Sequence, residues 1–321
     1  MQRRTPPNAA LSLALAGLLA APAFGCPGTE EHLDEPRVDA DVPPPDAPEP
    51  VPLRVADFNA HDFFDDHADA VEQVLTAAEY QAKLAAVGAV LLSLAADVVV
   101  LQEIESQRVL DDLAAGPLAS LGYGARVLAP TNDPRGIHVA ALSRVAFDKV
   151  VSHANDYFTL AGTTTPQHKY ARDCLELHLS YGGRQVVLLG VHFRSKVVPD
   201  DPDKRLAEAQ HTRAVADALT TASPSLAVLV LGDFNDTPGS PPVLAVVGAA
   251  PSLFADSAEK VAPLADAWTY TYSGQHQLID HQMASPGLAL LLDPAAVAIP
   301  HGADVGKASD HAPVLATYRI R

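Results

Sequence analysis

The sequence predicts an α/β (α+β) protein in which two mostly antiparallel sheets pack face to face and helices cover their outer surfaces. Three observations support this fold class. Short apolar runs bounded by polar residues or glycine recur along the chain, as buried strands require. Most of these runs follow one another in hairpin order, which favours antiparallel pairing. A few longer stretches with helical apolar spacing lie between them, and such elements stack in layers.

The individual elements follow from these patterns in chain order. Residues 53–58 alternate between apolar and polar side chains and form the first predicted strand, which ends at Asn59. Helical spacing predicts long helices over 72–96 and 204–221 and a short helix around 110–113. The other predicted strands are 97–101, 125–128, 139–142, 147–151, 174–180, 185–191, 226–231, 268–272, 278–283 and 313–318.

Two strand pairings can be predicted directly. Gly182 and Gly183 separate 174–180 from 185–191, and a glycine pair between two apolar runs favours a hairpin. The runs 139–142 and 147–151 are also close in sequence, and we expect them to form a second pair.

The first 50 residues differ in composition from the rest of the chain. Two arginines precede an apolar stretch that is too short to span a bilayer, which predicts a signal peptide over 1–26. Its end resembles a bacterial lipobox, so we expect either lipidation at Cys26 or simple secretion. Residues 27–50 are rich in proline and acids, which predicts a disordered spacer. We assign one domain to 51–321, in an exported protein that is either secreted or tethered to a membrane.

Charge and cysteine content narrow the function of this domain. Residues 51–321 carry 31 acidic and 19 basic side chains, a formal charge of −12 out of −17 for the whole chain. This balance argues against a broad nonspecific grip on nucleic acid but leaves room for a local basic cleft. Cys174 is the only cysteine of the domain, so no disulfide forms within it. We expect Cys174 to be a core residue rather than a nucleophile.

Polar groups follow or precede the apolar runs at three distant places. Glu103 follows 98–101, Asp233 and Asn235 follow 226–231, and Asp310 and His311 precede 312–316. A charged group at a buried strand end is costly unless it is paired or bound to a metal. The repetition predicts one shared polar site, most simply one organised by a divalent cation.

The order of these motifs resembles the endonuclease/exonuclease/phosphatase superfamily, whose members include pancreatic deoxyribonuclease, abasic-site endonucleases, bacterial sphingomyelinases and inositol polyphosphate phosphatases. The resemblance covers 53–318, and residues 59–66 and 133–140 are similar to bacterial secreted nuclease-like members. It implies a four-layer αββα sandwich and a hydrolase that cleaves phosphoester bonds. The positions that carry the resemblance are Asn59, Glu103, His192, Asp233, Asn235, Asp280, Asp310 and His311.

The resemblance also implies a metal site. Glu103 is expected to bind the catalytic Mg²⁺, with Asn59 and Asp310 near the same ion. Mg²⁺ takes oxygen ligands and keeps several waters, so one or two carboxylates suffice. Mn²⁺ and Ca²⁺ are alternatives. The acids Asp62, Asp65 and Asp66 either supply a second ion or flank a loop.

The same resemblance assigns roles to the remaining positions. Asp233 and Asn235 orient or deprotonate the attacking water and contact the phosphate, and two residues apart in an extended segment they share one face. His311 is the acid/base partner with Asp280 as its orienting carboxylate, and the sequence leaves open whether His311 or Asp233 takes the proton of water. His192 is expected to hydrogen-bond the scissile phosphate.

Positive charge beside the phosphate is expected from Arg172, which matches a recurrent arginine before a strand. Arg194 and Lys196 are further candidates, with a solvated surface position as the competing interpretation, and Arg135 is also a candidate to reach the site. His138 departs from the pattern, because related members carry aspartate there.

Three function hypotheses follow. The first is an exported, Mg²⁺-dependent phosphodiesterase with nucleic acid as its substrate, a possible membrane tether through Cys26 and no obligate protein partner. The second keeps the site but acts on a phospholipid headgroup or phosphorylated sugar, for which Tyr157-Phe158, Trp268, Tyr270 and Tyr272 are candidate membrane-facing aromatics. The third is a binding module without catalysis, since fold does not fix function.

Overall fold

Two mixed β-sheets stacked face to face form the centre of the protein, as a computed structural model describes it. The structure describes residues 49–68, 73–197 and 199–321. The predicted signal peptide and nearly all of the predicted spacer lie outside the described residues.

The first sheet has five strands in the order β13-β1-β2-β4-β3. Only β1 and β2 run parallel, and the other neighbours are antiparallel. Its strands are β1 (Val51–Phe63), β2 (Val98–Ile104), β3 (Ala125–Leu128), β4 (His138–Ser143) and β13 (Val314–Ile320).

The second sheet has six strands in the order β5-β6-β7-β8-β12-β9. Here β7 and β8 are the parallel pair. Its strands are β5 (Lys149–Ser152), β6 (Cys174–Tyr181), β7 (Arg184–His192), β8 (Ala227–Asp233), β9 (Ala255–Asp256) and β12 (Asp280–Ala284). A separate hairpin consists of β10 (Tyr270–Tyr272) and β11 (Gln275–Gln277).

The helices begin where the sequence supplies caps. Thr76 and Glu79 form a capping box at the start of α1, and Ser106 caps α2. Asp201 caps α3 and is followed by a proline at the first helical position. The helices are α1 (Ala77–Leu94), α2 (Gln107–Ala115), α3 (Pro202–Ala222), α4 (Pro241–Val247), α5 (Pro286–Ala289) and α6 (Ala303–Ala308), with 3₁₀ turns at Ala119–Leu121, Ala258–Lys260, Leu264–Asp266 and Pro294–Ala296.

Alternation along the strands divides the buried side chains into three layers. Val98 and Val100 of β2 join the core between the sheets, whereas Val99 and Leu101 face α1 and α2. In the second sheet, Val228 and Val230 of β8 face α3 and α4. Helices, sheet, sheet and helices therefore stack in that order, which confirms the predicted sandwich.

Most predicted elements are present, with shifted ends. The predicted helix over 72–96 is α1, and the hairpin of β6 and β7 turns at Gly182 and Gly183, whose φ angles of 55° and 81° suit such a turn. Cys174 is fully buried in the core of the second sheet.

One predicted pairing is wrong. The runs that became β4 and β5 do not pair, because β4 lies between β2 and β3 in the first sheet and β5 pairs with β6 in the second. The chain crosses between the sheets at 144–148, and short sequence separation does not reveal such a crossing. The short β9 and β11 and the helices α4, α5 and α6 were not predicted. Within the described residues, no helix is both long and apolar enough to cross a membrane.

Candidate active site

A cleft of about 890 Å³ opens where the carboxyl ends of both parallel strand pairs meet. Seven of the predicted site residues line this cleft, and two other predicted residues lie directly behind them. The lining members are Glu103, Arg172, His192, Asp233, Asn235, Asp310 and His311. Asn59 and Asp280 hydrogen-bond to members of that set. The structure therefore brings together distant parts of the chain; Asn59 and Ser309, for example, are 250 positions apart and share a hydrogen bond.

Strand register explains this convergence. Asn59 is paired with Gln102, the neighbour of Glu103, across the parallel β1–β2 ladder. His192 is paired with Asp233 across the parallel β7–β8 ladder. Parallel strands carry their carboxyl ends to the same edge of a sheet, so residues after each strand become neighbours.

Glu103 lines the cleft, and Asn59 lies directly behind it. The Asn59 Nδ2 donates to Asp233 Oδ2 at 3.0 Å and lies 3.4 Å from Glu103 Oε1. The backbone N–H of Asp62 donates to Glu103 Oε2 at 2.8 Å. Glu103 has a φ of 63°, a left-handed conformation that costs a non-glycine residue energy and that aims the side chain away from the strand alternation.

The Gly-Asp-Phe-Asn segment is shaped by close packing. A side chain at Gly232, whose φ is 128°, would collide with the carbonyl oxygen of Val191. Beyond it, the N–H of Asn235 donates to Asp233 Oδ1 at 2.7 Å, while Asn235 Nδ2 donates to the carbonyl of Phe193 at 3.1 Å. Asn235 also takes a left-handed φ of 54°. These constraints place the Asp233 carboxylate and the Asn235 amide side by side.

His311 and Asp280 form a buried pair next to Asp233. His311 Nδ1 lies 2.8 Å from Asp280 Oδ2. Burial alone would lower the pKa of His311, but the charge and hydrogen bond of Asp280 and the charge of Asp233 outweigh it and raise the pKa to about 10. The ring is therefore protonated at neutral pH.

Two hydroxyls fix the strands that carry this pair. Ser309 Oγ donates to the carbonyl of Asn59 at 2.7 Å and accepts the N–H of His311 at 3.0 Å. Thr269 Oγ1 accepts the N–H of Asp280 at 3.1 Å. Ser309 thus holds the backbone of His311, and Thr269 holds the backbone of Asp280. Thr269 carried no sequence signal beyond its strand.

Asp233 faces His311 and His192 in the same enclosure. Burial and the charge of Asp280 raise the pKa of Asp233 to about 7, while protonated His311 and the N–H groups of Asn235 and Asn59 oppose this rise. His192 Nε2 lies 3.4 Å from Asp233 Oδ2. Burial, together with the positive charges of Arg172 and His311, holds the pKa of His192 well below its usual value. His192 is thus a neutral imidazole beside an ionisable carboxyl.

Arg172 is the buried cation of the cleft. Its side chain is 1% exposed, and Nη2 lies 2.8 Å from Asp133 Oδ2 while Nη1 donates to the carbonyl of Phe193 at 3.2 Å. The carbonyl of Phe193 also accepts Asn235 Nδ2, so two of the three expected phosphate-binding side chains are oriented by one peptide group.

Glu208 was missed by the sequence analysis. It lies on α3, is fully buried, and accepts the N–H of Ala171 at 2.7 Å and the N–H of Arg194 at 2.6 Å, one on each carboxylate oxygen. It thereby ties the segment that bears Arg172 to the segment that follows His192. Its position inside a helical pattern gave no signal, since no local feature marks a buried acid.

The other polar positions take identifiable places. Arg135 and Asp62 line the cleft and pair at 3.2 Å, whereas Asp65 and Asp66 pair with Arg108 of α2 and flank the loop, as the loop interpretation expected. Lys196 contacts Asp236 at 2.7 Å on the rim. Two further histidines do not line the cleft. His138 contacts the carbonyl of Ala129, and His281 contacts Asp256 and the carbonyl of Asp236.

The donor set of the cleft fits a divalent cation. Glu103 and Asp310 offer carboxylate oxygens of the kind Mg²⁺ prefers, and Asp310, 43% exposed, lies at the open rim. Asn59 lies beside Glu103, with Nδ2 toward that carboxylate and Oδ1 accepting the N–H of His61. A second group has one ligand atom each from Asp233, Asp280 and His311 within 4.8 Å of one another. In that group His311 Nδ1 already pairs with Asp280, so the imidazole suits proton chemistry better than ligation on that nitrogen.

The fold places the protein in the four-layer sandwich class, and the members of the family that it matches are phosphoesterase hydrolases. The family model described as "Endonuclease/Exonuclease/phosphatase family" matches residues 57–304, and the chain belongs to this family, whose enzymes depend on divalent metals. No curated protein sequence is significantly similar to the chain.

Solved structures share the fold at low sequence identity. TDP2 from Caenorhabditis elegans is 18% identical with a TM-score of 0.58, over 84% of this chain and 74% of that one. An endonuclease/exonuclease/phosphatase from Bacteroides vulgatus is 15% identical with a TM-score of 0.57, over 84% and 100%. TDP2 from D. rerio, complexed with a single-strand DNA product, is 17% identical with a TM-score of 0.57, over 83% and 98%.

Proposed function

We propose that the protein is an exported, Mg²⁺-dependent phosphodiesterase that hydrolyses nucleic acid. The observation that carries this proposal is the enclosure of Asp233 between the protonated His311–Asp280 pair and the neutral His192, beside Glu103. The structural neighbour from D. rerio that holds a single-strand DNA product supports a nucleic-acid substrate. Export rests on the composition of residues 1–50, and the intact mass of the mature N-terminus distinguishes lipidation at Cys26 from simple secretion.

The residues divide the work of hydrolysis between them. Asp233, whose pKa lies near 7, takes a proton from the attacking water, because His311 is already protonated and cannot accept one. Protonated His311, Arg172, Asn235 and neutral His192 donate hydrogen bonds to the phosphoryl oxygens as negative charge gathers on them. Asp280 keeps His311 protonated and, through its contact with Nδ1, fixes the orientation of the imidazole ring.

A cation held by Glu103, with Asn59 and Asp310, would polarise a phosphoryl oxygen and stabilise the leaving oxygen when bound. The water oxygen forms the new bond to phosphorus, and the bond to the leaving oxygen breaks in line with it. The leaving oxygen takes a proton from solvent and Asp233 returns its own proton to solvent, so the products are a phosphomonoester and a free hydroxyl.

The proposal is tested with Asp233→Asn and His311→Gln on a panel of DNA, RNA, phospholipid vesicles and sugar phosphates, with Mg²⁺ or with EDTA. We expect nucleic acid to be hydrolysed only with the metal, and each variant to lose at least about 100-fold in kcat/KM. Asp304→Asn, an exposed acid, is the control and should match the wild type. Full activity of both site variants, or hydrolysis confined to vesicles or sugar phosphates, would overturn the proposal.

A further inference from the structure

The hairpin of β10 and β11 forms an aromatic wall of the cleft. Tyr270 and Tyr272 both line the cavity, and the Tyr272 side chain is 62% exposed. Residues Ser273 and Gly274 turn the hairpin with φ angles of 48° and 77°, as a two-residue turn of this hand requires. The Tyr270 ring lies 4.9 Å from the His311 ring, centroid to centroid. Tyr270 therefore stands directly beside the catalytic imidazole, and Tyr272, two residues further along the same strand, offers an exposed ring to the cleft.

The base of this hairpin is held firmly. Trp268 is stacked between the rings of His276 and His301, each at 3.8 Å. The carbonyl of Thr269 accepts the N–H of Ala312 at 2.7 Å, one residue after His311. The backbone of the hairpin is therefore held next to the segment that carries His311. These contacts do not involve the Tyr272 side chain, which stays exposed in the cleft.

Four arginine or lysine side chains line the same cleft. Arg135, Arg172 and Lys196 line the cleft, but each is paired with a carboxylate. Arg194 also lines the cleft, and within the described residues it makes no ion pair; its Nη2 donates to the carbonyl of Pro199 at 3.2 Å. Among these four lining side chains, Arg194 is therefore the one whose positive charge is available to bind a phosphate.

We propose that the cleft binds single-stranded nucleic acid, with a base beside the scissile phosphate stacked on Tyr272 and the neighbouring phosphate on Arg194. This inference rests on the proposed function and adds the substrate class. A base paired inside a duplex keeps its faces covered by its neighbours, so only an unpaired base can lie flat on the exposed ring. Stacking of this kind tolerates any base, because every base has a π-face. The acidic domain offers little of the extended positive surface that duplex binding uses.

The test compares Tyr272→Ala, Tyr272→Phe and Tyr157→Ala on one oligonucleotide, supplied single-stranded, as a duplex and with abasic sites beside the cleaved position. Tyr157 is the matched control, since it is 58% exposed and lies outside the cleft lining. We expect Tyr272→Ala to raise KM for the single strand about tenfold with little change in kcat, and Tyr272→Phe to stay near the wild type. The abasic strand should bind the wild type and Tyr272→Ala equally weakly.

A Tyr272→Ala variant that behaves like Tyr157→Ala overturns the inference, as does an equal loss on duplex and single strand. Loss confined to phospholipid vesicles would instead make the hairpin a membrane contact and would also overturn it. Binding of the single strand to Asp233→Asn, measured by fluorescence anisotropy with and without the Tyr272→Ala change, distinguishes a failure of this inference from a failure of the proposed function. If no nucleic acid is cleaved by the wild type, the proposed function fails, and a Tyr272-dependent affinity would still support the stacking site.

Discussion

At the scale of single residues, the cleft depends on buried charges that set one another's protonation. Asp233 and Asp280 are paired across the β8–β12 ladder, and both are about 1% exposed. Two carboxylates so close and so dry cannot both stay ionised without a cation nearby. Protonated His311 supplies that cation, and the charges of Asp280 and Asp233 raise its pKa. Burial, with the positive charges of Arg172 and His311, lowers the pKa of His192.

Replacing Asp280 tests this dependence through the pH profile. In Asp280→Asn the charge that raises the pKa of His311 is gone, so the pKa falls from about 10. Protonated His311 is then lost at a lower pH, and the alkaline limb of kcat/KM against pH should move down by about one unit or more. The acid limb should move the same way, because Asp280 also raises the pKa of Asp233.

Asp256→Asn is the matched control for this measurement. Asp256 is a second buried aspartate paired with a histidine, His281, at 2.6 Å, but it lies outside the cleft lining. We expect it to lower stability without moving either limb. An alkaline limb that stays in place in Asp280→Asn would contradict the assigned role of the His311–Asp280 pair.

The residues of the site could be predicted from the sequence, whereas the orientation of their side chains could not. Glu103, Asp233 and His311 stand where apolar runs end or begin, and burial makes such positions costly without a shared function. The left-handed backbone of Glu103 and Asn235 depends on contacts with distant segments, as do the hydrogen bonds of Ser309 and Thr269. No local pattern records such contacts.

At the scale of elements, strand type was predictable and strand partners were less so. The glycine pair at 182–183 determines its hairpin locally, because the turn geometry itself joins β6 to β7. The pairing of β4 with β5 failed because equally apolar strands can join either of two stacked sheets. The parallel pairs β1–β2 and β7–β8, which build the cleft, each depend on a crossover through a helix.

Helix α3 contributes to the cleft through Glu208, which acts as a positioning residue. In Glu208→Gln one oxygen acceptor becomes an amide donor, and it then faces a backbone N–H of Ala171 or Arg194. The two segments should separate slightly, so the hydrogen bonds of Arg172 to Phe193 would weaken. We expect KM for a single strand to rise about tenfold while the pH limbs stay in place.

Two measurements distinguish this positioning role from a general loss of fold. Asp203→Asn alters an exposed acid on the same helix and should leave KM unchanged. Thermal unfolding of Glu208→Gln reports the stability cost separately from KM. A variant that loses stability but keeps the KM of the wild type would show that Glu208 serves the fold alone.

At the scale of the whole molecule, an acidic domain carries a cleft with few free positive charges. The composition of 31 acids and 19 bases over 51–321 predicted weak nonspecific binding, and the structure adds that most cleft cations are already paired. Binding should therefore depend on stacking and on a small number of phosphate contacts. This differs from nucleases that grip duplex phosphates over a wide surface.

The salt dependence of binding follows from that count of contacts. For single strands the slope of log K against log salt is about −0.7 for each phosphate neutralised, so one or two contacts predict a slope between about −0.7 and −1.4. Arg194→Ala should make the slope shallower by about 0.7, whereas Lys149→Ala, an exposed cation on the edge strand β5, should leave it unchanged. Affinity of Asp233→Asn for a labelled single strand, measured without Mg²⁺ across monovalent salt, gives both slopes. A steep slope near −5 would mean that many more cations meet the strand than the cleft offers, and an Arg194→Ala slope equal to that of Lys149→Ala would remove Arg194 from the phosphate contacts.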